Sequence, residues 1–129
     1  MDRKRPFSVV ARLRSFRYAG RGLFGLLVRE HNARIHAVAT VLVVTAGVLC
    51  RLERWEWGLV TAALGLVWTA EALNASLEQL ADAVSSAPHP AIGRAKDLAA
   101  GAVLASALGA AGLALVVFGP RLGALVGMP

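Results

Sequence analysis

The sequence has little charge and a single cysteine. Charged residues make up 17% of its 129 residues, whereas hydrophobic residues make up 57%. A small soluble domain could not bury so much apolar surface, so the composition excludes that class. Cys50 has no partner for a disulfide within the chain, and its place in an apolar run indicates a small buried or lipid-facing residue. The chain is therefore predicted to be one all-α integral membrane domain over residues 1–129, because an apolar segment in lipid must satisfy its own backbone hydrogen bonds.

Several familiar functional signals are also missing. The sequence has no Walker-type glycine loop, no kinase catalytic-loop motif, no internal repeat and no low-complexity linker. A lipid phosphatase would need a nucleophile or a His–Arg cluster, and neither is found. No secretory signal peptide is indicated, because the basic region is long and the apolar run starts late.

Positive charge is concentrated near the start of the chain. The net charge is +6, and nine of the 14 lysines and arginines lie between Arg3 and Arg34. A basic chain can bind nucleic acid, but this charge directly precedes a membrane-length apolar run. It therefore predicts an anchor on anionic lipid headgroups at the cytoplasmic face, with no nucleic-acid partner.

The apolar runs predict three transmembrane helices after an N-terminal surface segment. Residues 1–29 are predicted to form a basic tail, as far as residue 6, and an amphipathic surface helix. The transmembrane helices are expected over residues 35–50, 57–84 and 95–119. The N-terminus and the loop before the third helix should face the cytoplasm, because they carry most of the positive charge.

Polar and proline-containing stretches are expected to separate these helices. EHNAR, residues 30–34, is predicted to be a polar break before the first span. SSAPHPAI, residues 85–92, is predicted to be a loop, since Pro88 and Pro90 disfavour a regular helix. The sequence Gly-Pro-Arg at residues 119–121 is expected to end the third helix.

The stretch WTAEALNASLEQLAD, residues 68–82, carries an acidic stripe at the end of the second span. Glu71, Asn74, Glu78 and Asp82 lie within a sector of roughly 80° on one helical face. A carboxylate at the end of a membrane-length apolar run is costly unless it faces a partner, a metal or water. Like charges this close favour a cation between them or protonation of one of them. The alternative is a helix that leaves the bilayer with a solvated acidic face.

Carboxylates and cations are expected to meet at this interface. Carboxylate oxygens suit Mg²⁺, and a phosphoryl-transfer site needs a divalent ion, cationic clamps and a base on the attacking hydroxyl. Glu71 lies on the lipid side of the stripe and is best placed as that base. A scaffold or a small transport subunit is the alternative. The residues concerned are Glu30, Glu71, Glu78, Asp82, Asp97, Arg14, Arg17, Arg21 and Lys96.

Three segments together resemble the prokaryotic diacylglycerol kinase family. EALNASLEQLAD (71–82) is similar to the family's acidic signature, and GRAKDLAAGAV (93–103) is similar to its second conserved segment. SFRYAGRGL (15–23) resembles its N-terminal segment, and Glu30 precedes the first span as in the family. The resemblance covers about residues 12–118. Each segment alone is a weak signal, but their joint occurrence in order is specific.

The resemblance implies a homotrimeric lipid kinase of the bacterial cytoplasmic membrane that uses ATP and Mg²⁺. It implies three transmembrane helices and a surface helix in each chain, with sites between subunits. Glu71 matches the catalytic base, Glu30 and Glu78 match the carboxylates that hold Mg²⁺ on ATP, and Asn74 matches a residue that supports the base and the lipid headgroup. Contacts with ATP are implied for Arg14, Tyr18, Glu30, Glu78, His89, Lys96 and Asp97.

His36 marks a departure within the family. EHNARIH, residues 30–36, has this histidine where the enterobacterial members have an acid, and it looks more like the Gram-positive branch, which favours undecaprenol. We therefore expect undecaprenol as the acceptor and His36 in its binding site, with diacylglycerol as the alternative. His36 could instead be an interfacial histidine with no role in substrate choice. A non-catalytic membrane assembly protein of the same fold is a second alternative, but the intact Glu30, Glu71, Glu78 and Lys96 argue against it.

Overall fold

The computed structural model describes residues 8–85 and 87–127, with the side chains of residues 125 and 126 left aside. That part of the chain contains four helices and no strand. They are α1 (Val9–Arg29), α2 (His31–Leu49), α3 (Arg54–Val84) and α4 (Pro90–Val126). The all-helical prediction is confirmed. The basic tail predicted up to residue 6 lies outside the described residues.

Three of the helices are long and apolar enough to cross a membrane. They cover His31–Leu49, Arg54–Val84 and Pro90–Ala124. Large apolar side chains such as Leu42 on α2, and Leu108 and Leu115 on α4, point outwards and are exposed. An apolar surface of this kind is stable against lipid or another subunit and unstable against water. The three helices thus fit a membrane protein.

The break between α1 and α2 is a single residue, Glu30, and not the stretch 30–34 expected from the sequence. The backbone N–H of Glu30 donates to the Leu26 carbonyl at 2.9 Å and ends α1. The last carbonyls of a helix lack partners within the helix. Arg34 supplies hydrogen-bond donors for two of these carbonyls. Its Nε donates to the Leu27 carbonyl at 3.1 Å, and its Nη2 donates to the Val28 carbonyl. One side chain of α2 therefore caps α1, and the chain turns without a longer linker.

The turn from α2 to α3 is tight. The N–H groups of Arg51 and Leu52 donate to the carbonyls of Val48 and Gly47, at 3.1 and 3.0 Å. This is a Schellman ending, in which Arg51 takes the left-handed position with a φ of 52°. Gly47 leaves room for α3, since a Cβ there would lie 2.8 Å from the ring of Trp57.

Helix α4 starts earlier than expected from the sequence. The prediction that the prolines prevent a helix is wrong for Pro90, which is the first residue of α4. Proline is well accommodated there, because the first N–H groups of a helix have no intrahelical acceptor. The preceding residue, His89, caps the helix, with its Nδ1 accepting from the Ala91 N–H at 3.2 Å.

Helix α4 also ends later than expected. It continues through Pro120 to Val126, so the prediction that residues 119–121 end it is wrong. Tertiary bonds of Arg121 hold this turn in place. Its guanidinium donates to both carboxylate oxygens of Glu56 at 2.7 Å, to the Val117 carbonyl at 2.9 Å and to the Cys50 carbonyl at 3.2 Å. Glu56 is only 4% exposed, so this ion pair fastens the start of α3 to the end of α4.

Candidate functional site at the acidic stripe

Burial changes steadily along the acidic stripe of α3. Glu71 is 1% exposed and Asn74 is 6% exposed. Glu78 is half-buried and Asp82 is exposed. The stripe therefore runs from the interior of the helix bundle at Glu71 to its surface at Asp82. A group acting on a buried hydroxyl and a group meeting a water-soluble ligand can lie on the same helical face.

The register between α2 and α3 is set by a polar contact near this end of the bundle. Trp68 Nε1 donates to Thr40 Oγ1 at 3.0 Å, and Thr40 Oγ1 donates to the His36 carbonyl at 2.7 Å. Trp68 lies one turn before Glu71, and His36 lies one turn before Thr40. The two side chains consequently face each other, with His36 Nε2 at 4.0 Å from Glu71 Oε2.

Glu71 is short of partners for a buried carboxylate. Its Oε2 is buried and makes no hydrogen bond within the described residues. The charges of Glu30, His36 and Glu78 all act on it, so the α1–α2 junction, α2 and α3 each contribute a titratable group to its electrostatic environment. An unpaired buried carboxylate is destabilising unless a ligand or a proton completes it. This arrangement is suited to accepting a proton from a hydroxyl group.

Asn74 and Glu78 continue the site towards the surface. Asn74 Nδ2 donates to Glu78 Oε1 at 3.4 Å, whereas Asn74 Oδ1 is buried without a partner. A cavity of about 320 Å³ lies beside them, and it is lined by Asn32, Ile35, His36, Asn74, Glu78, Ala100, Val103, Leu104 and Ala107. The cavity thus brings together predicted site residues from α2 and α3 against an apolar face of α4.

The carboxylates of Glu30 and Glu78 fit the donor set that Mg²⁺ uses with a nucleotide. Within residues 8–85 and 87–127, no three His, Cys, Asp or Glu side chains converge as a metal-binding group. A protein cage of that kind is not what a nucleotide-bound Mg²⁺ requires, since one or two carboxylates and the substrate phosphates usually suffice. Glu30, at the α1–α2 junction, and Glu78, on α3, both act electrostatically on Glu71.

A second cavity, of about 520 Å³, lies at the turn between α3 and α4. Among its lining residues are His89, Lys96 and Asp82. Lys96 Nζ binds Asp82 Oδ1 at 2.9 Å. His89 uses Nδ1 to cap α4 and has Nε2 left for another contact. Asp97 follows Lys96 and is exposed, and it does not line this cavity.

The two predicted site residues on α1 lie apart from both cavities. Arg14 and Tyr18 are exposed, and neither lines the cavity beside Glu78 or the cavity beside Lys96. The neighbouring Arg17 stacks on Tyr18, with its Cζ 5.9 Å from the ring centroid. Within one chain, α1 therefore does not bring these two side chains to Glu71 or Lys96.

Two ion pairs were not anticipated from the sequence. The Asp82–Lys96 pair could have been found, because a residue at the end of α3 and one at the start of α4 are brought together by a short loop. The Glu56–Arg121 pair joins residues 65 positions apart and has no local signal. It lies at the other end of the bundle from the acidic stripe.

Comparison with known proteins places these features in a family. The sequence model of prokaryotic diacylglycerol kinase matches residues 17–118. The undecaprenol kinase of Bacillus subtilis is 35% identical over 109 residues, which cover 84% of this chain and 89% of that protein. The diacylglycerol kinase of Synechocystis is 39% identical over 74% of this chain and 55% of that protein. The diacylglycerol kinase of Escherichia coli K12 is 31% identical over 67% of this chain and 71% of that protein.

The family match covers most of the chain, and it includes α2, α3 and α4 as far as residue 118. It also includes the acidic stripe, His36, His89 and Lys96. The chain belongs to the prokaryotic diacylglycerol kinase family of lipid kinases.

Proposed function

We propose that the protein transfers the γ-phosphate of ATP to the hydroxyl group of undecaprenol, giving undecaprenyl phosphate and ADP. The observation that carries this proposal is the nearly complete burial of Glu71 beside His36. Burial of a carboxylate there costs desolvation free energy, so the group is expected to have a chemical role. Its position suits a reaction on a hydroxyl group that arrives from the membrane. The alternative acceptor is diacylglycerol, which would give phosphatidic acid.

Glu71 acts as the general base. It takes the proton of the acceptor hydroxyl while the oxygen attacks the γ-phosphorus and ADP leaves. Asn74 supports the base side of the site, and its unpartnered Oδ1 is available to accept a hydrogen bond from the acceptor hydroxyl or headgroup. His36 contributes to the binding of the lipid headgroup from α2.

Glu30 and Glu78 would hold the Mg²⁺ that accompanies ATP. When bound, this ion supplies neutralisation of the charge on the phosphate oxygens. Asn74 keeps the Glu78 carboxylate oriented through the bond from its Nδ2. Glu30 occupies the junction between α1 and α2, so Arg34, by capping α1, also holds the backbone that carries this ligand.

The nucleotide lies towards the α3–α4 turn. Lys96 serves as the cation for the phosphates, and His89 contacts ATP through the nitrogen that does not cap α4. Asp97 completes this segment. Arg14 and Tyr18 contact ATP from α1 of a neighbouring subunit, which agrees with their separation from both cavities within one chain.

Residues 1–129 form one domain that works as a homotrimer in the bacterial cytoplasmic membrane. The helix α1 lies in the membrane interface on the cytoplasmic side, where its arginines meet anionic headgroups. Assembly covers the exposed apolar faces of the spans. Native mass measurement in mild detergent should give a trimer. An active monomer would rule out sites shared between subunits.

The proposed reaction is tested by supplying ATP labelled in the γ-phosphate together with undecaprenol or diacylglycerol, side by side in detergent. We expect label in both lipids, with preference for undecaprenol. Preferential labelling of diacylglycerol would reverse the order of substrates. Failure to label either lipid with folded protein would favour a non-catalytic assembly protein.

A further inference from the structure

The stoichiometry of the reaction requires the site to release a proton in each turnover, and the general base alone does not explain how. This inference rests on the proposed function. ATP⁴⁻ and an alcohol give ADP³⁻, a phosphate ester with two negative charges and one proton. The proton taken from the hydroxyl must therefore leave Glu71 before the next turnover, and one proton leaves for each lipid that is phosphorylated.

Glu71 is almost completely covered by neighbouring side chains. It is 1% exposed, and its Oε2 makes no hydrogen bond within the described residues. The apolar cluster of Leu26, Ala33 and Ala75 packs against Trp68 and Ala72, which lie one turn before Glu71 and directly after it on α3. A neighbouring side chain that accepts a proton would give the carboxyl group a path for releasing it.

His36 lies near Glu71 and is itself partly exposed. Its Nε2 lies 4.0 Å from Glu71 Oε2, and its side chain is 17% exposed. The same side chain lines the cavity of about 320 Å³ beside Asn32 and Glu78. A small rotation of either side chain would shorten this distance to that of a hydrogen bond. Imidazole is well suited to this task, because it gains and loses a proton near neutral pH.

The groups that face His36 from the other helices are few. Glu71 Oε2 lies 4.0 Å from its Nε2, and Glu78 lines the same cavity. Helix α4 contributes Ala100, Val103, Leu104 and Ala107 to this cavity, so it adds no cation there.

We infer that His36 is the proton relay that resets Glu71 after each phosphoryl transfer. In the first step the acceptor O–H bond breaks and the proton goes to Glu71, while the new P–O bond forms and the bond to ADP breaks. In the second step the proton passes from Glu71 Oε2 to His36 Nε2, which restores the carboxylate. The imidazolium then releases a proton to water in the cavity. No oxidant, reductant or further reactant is needed.

The relay is tested by His36→Gln in the full-length protein, with rapid-quench measurement of lipid labelling from γ-labelled ATP. At saturating lipid, where weaker headgroup binding no longer limits the rate, the first turnover should keep its rate, because an unprotonated Glu71 is ready at the start. Later turnovers should slow by about 10²-fold, the lower end of the range for a positioned acid–base group. The time course should then show a burst of one labelled lipid for each active site. Added imidazole should speed the slow phase of the variant and leave the wild-type protein unchanged.

The matched control is His31→Gln, which changes an exposed histidine on the same helix that does not line this cavity. It should behave as wild type. A His36→Gln protein with wild-type steady turnover would overturn the relay, as would an equal loss in the first turnover, which means that His36 only positions Glu71. A slow phase that imidazole does not accelerate also overturns it.

If the His36→Gln variant does not fold, the relay is tested by a solvent isotope effect on the wild-type protein. The steady turnover rate should then fall along a curve, and not a straight line, as the fraction of heavy water rises, because more than one proton moves in the slow step. The absence of any isotope effect would overturn the relay. Failure of the proposed function is a different result, since the wild-type protein would then label no lipid at all.

Discussion

Replacing Glu71 by glutamine removes the proposed base while keeping the shape of the side chain. A positioned general base contributes about 10²–10⁴-fold to the rate, equivalent to about 3–5 kcal/mol of barrier. Turnover of Glu71→Gln should fall by that factor. The apparent affinity for ATP should hardly change, because Glu71 lies about 10.5 Å along the helix axis from Glu78, at about 1.5 Å for each of seven residues.

The same substitution should not weaken the fold. Glu71 is buried and its Oε2 has no hydrogen-bond partner within the described residues, so its charge costs stability that an uncharged amide does not. The variant should therefore unfold in detergent at the same temperature as the wild-type protein or at a higher one. Loss of activity combined with retained stability distinguishes a chemical role from a structural one.

Glu56→Gln is the matched control. It is the same change in the same helix, about 22 Å away along the axis at about 1.5 Å per residue. It breaks the bidentate contact with Arg121, so it should lower the unfolding temperature and leave turnover per folded molecule unchanged. Both variants are measured by γ-phosphate transfer over a range of ATP concentrations and by thermal unfolding. Near-normal turnover of Glu71→Gln, or a main effect on ATP affinity, would refute the assignment.

Three further predictions concern the metal and the fold. Glu30→Gln and Glu78→Gln should each need more Mg²⁺ for half-maximal turnover, because a neutral amide is a weaker ligand than a carboxylate. Either variant that matches wild type at limiting Mg²⁺ would remove that residue from the ligand set. Gly47→Ala should lose about 1–3 kcal/mol of stability, since its Cβ would meet Trp57 at 2.8 Å, whereas Gly58→Ala, with nothing within 4 Å, should not be destabilising. An unchanged unfolding temperature for Gly47→Ala would contradict that contact. Arg51→Gly should gain about 1 kcal/mol, because glycine adopts a φ of 52° without strain, and a lower unfolding temperature would contradict this.

The sequence was sufficient for those features that depend on neighbours along the chain. Uncharged runs of membrane length predict three spans, and three helices of that kind are present. The spacing of Glu71, Asn74 and Glu78 predicts one helical face, and all three lie on α3 with burial falling towards the surface. Helix ends were predicted less well. Pro90 begins α4 because His89 caps it, and a cap formed by a histidine ring is a weak sequence signal.

Features that depend on the register between helices could not be predicted. The distance between His36 and Glu71 is fixed by the bond between Thr40 and Trp68, which are 28 residues apart. The passage of α4 through Pro120 likewise depends on Arg121 reaching Glu56 on another helix. Local propensity favours an end at this proline, and only the tertiary contact shows why the helix continues.

The ion pair of Glu56 and Arg121 has a consequence for how the protein enters the membrane. In the proposed orientation, the ends of α3 and α4 that carry these residues must be translocated across the hydrocarbon layer. Two separate ions would each have to lose their water during that passage. In a preformed helical hairpin, the bidentate contact makes their sum neutral, and the Val117 carbonyl accepts a further N–H of the guanidinium. The Glu56–Arg121 pair therefore lowers the cost of moving these two ions through the hydrocarbon layer if α3 and α4 are already paired.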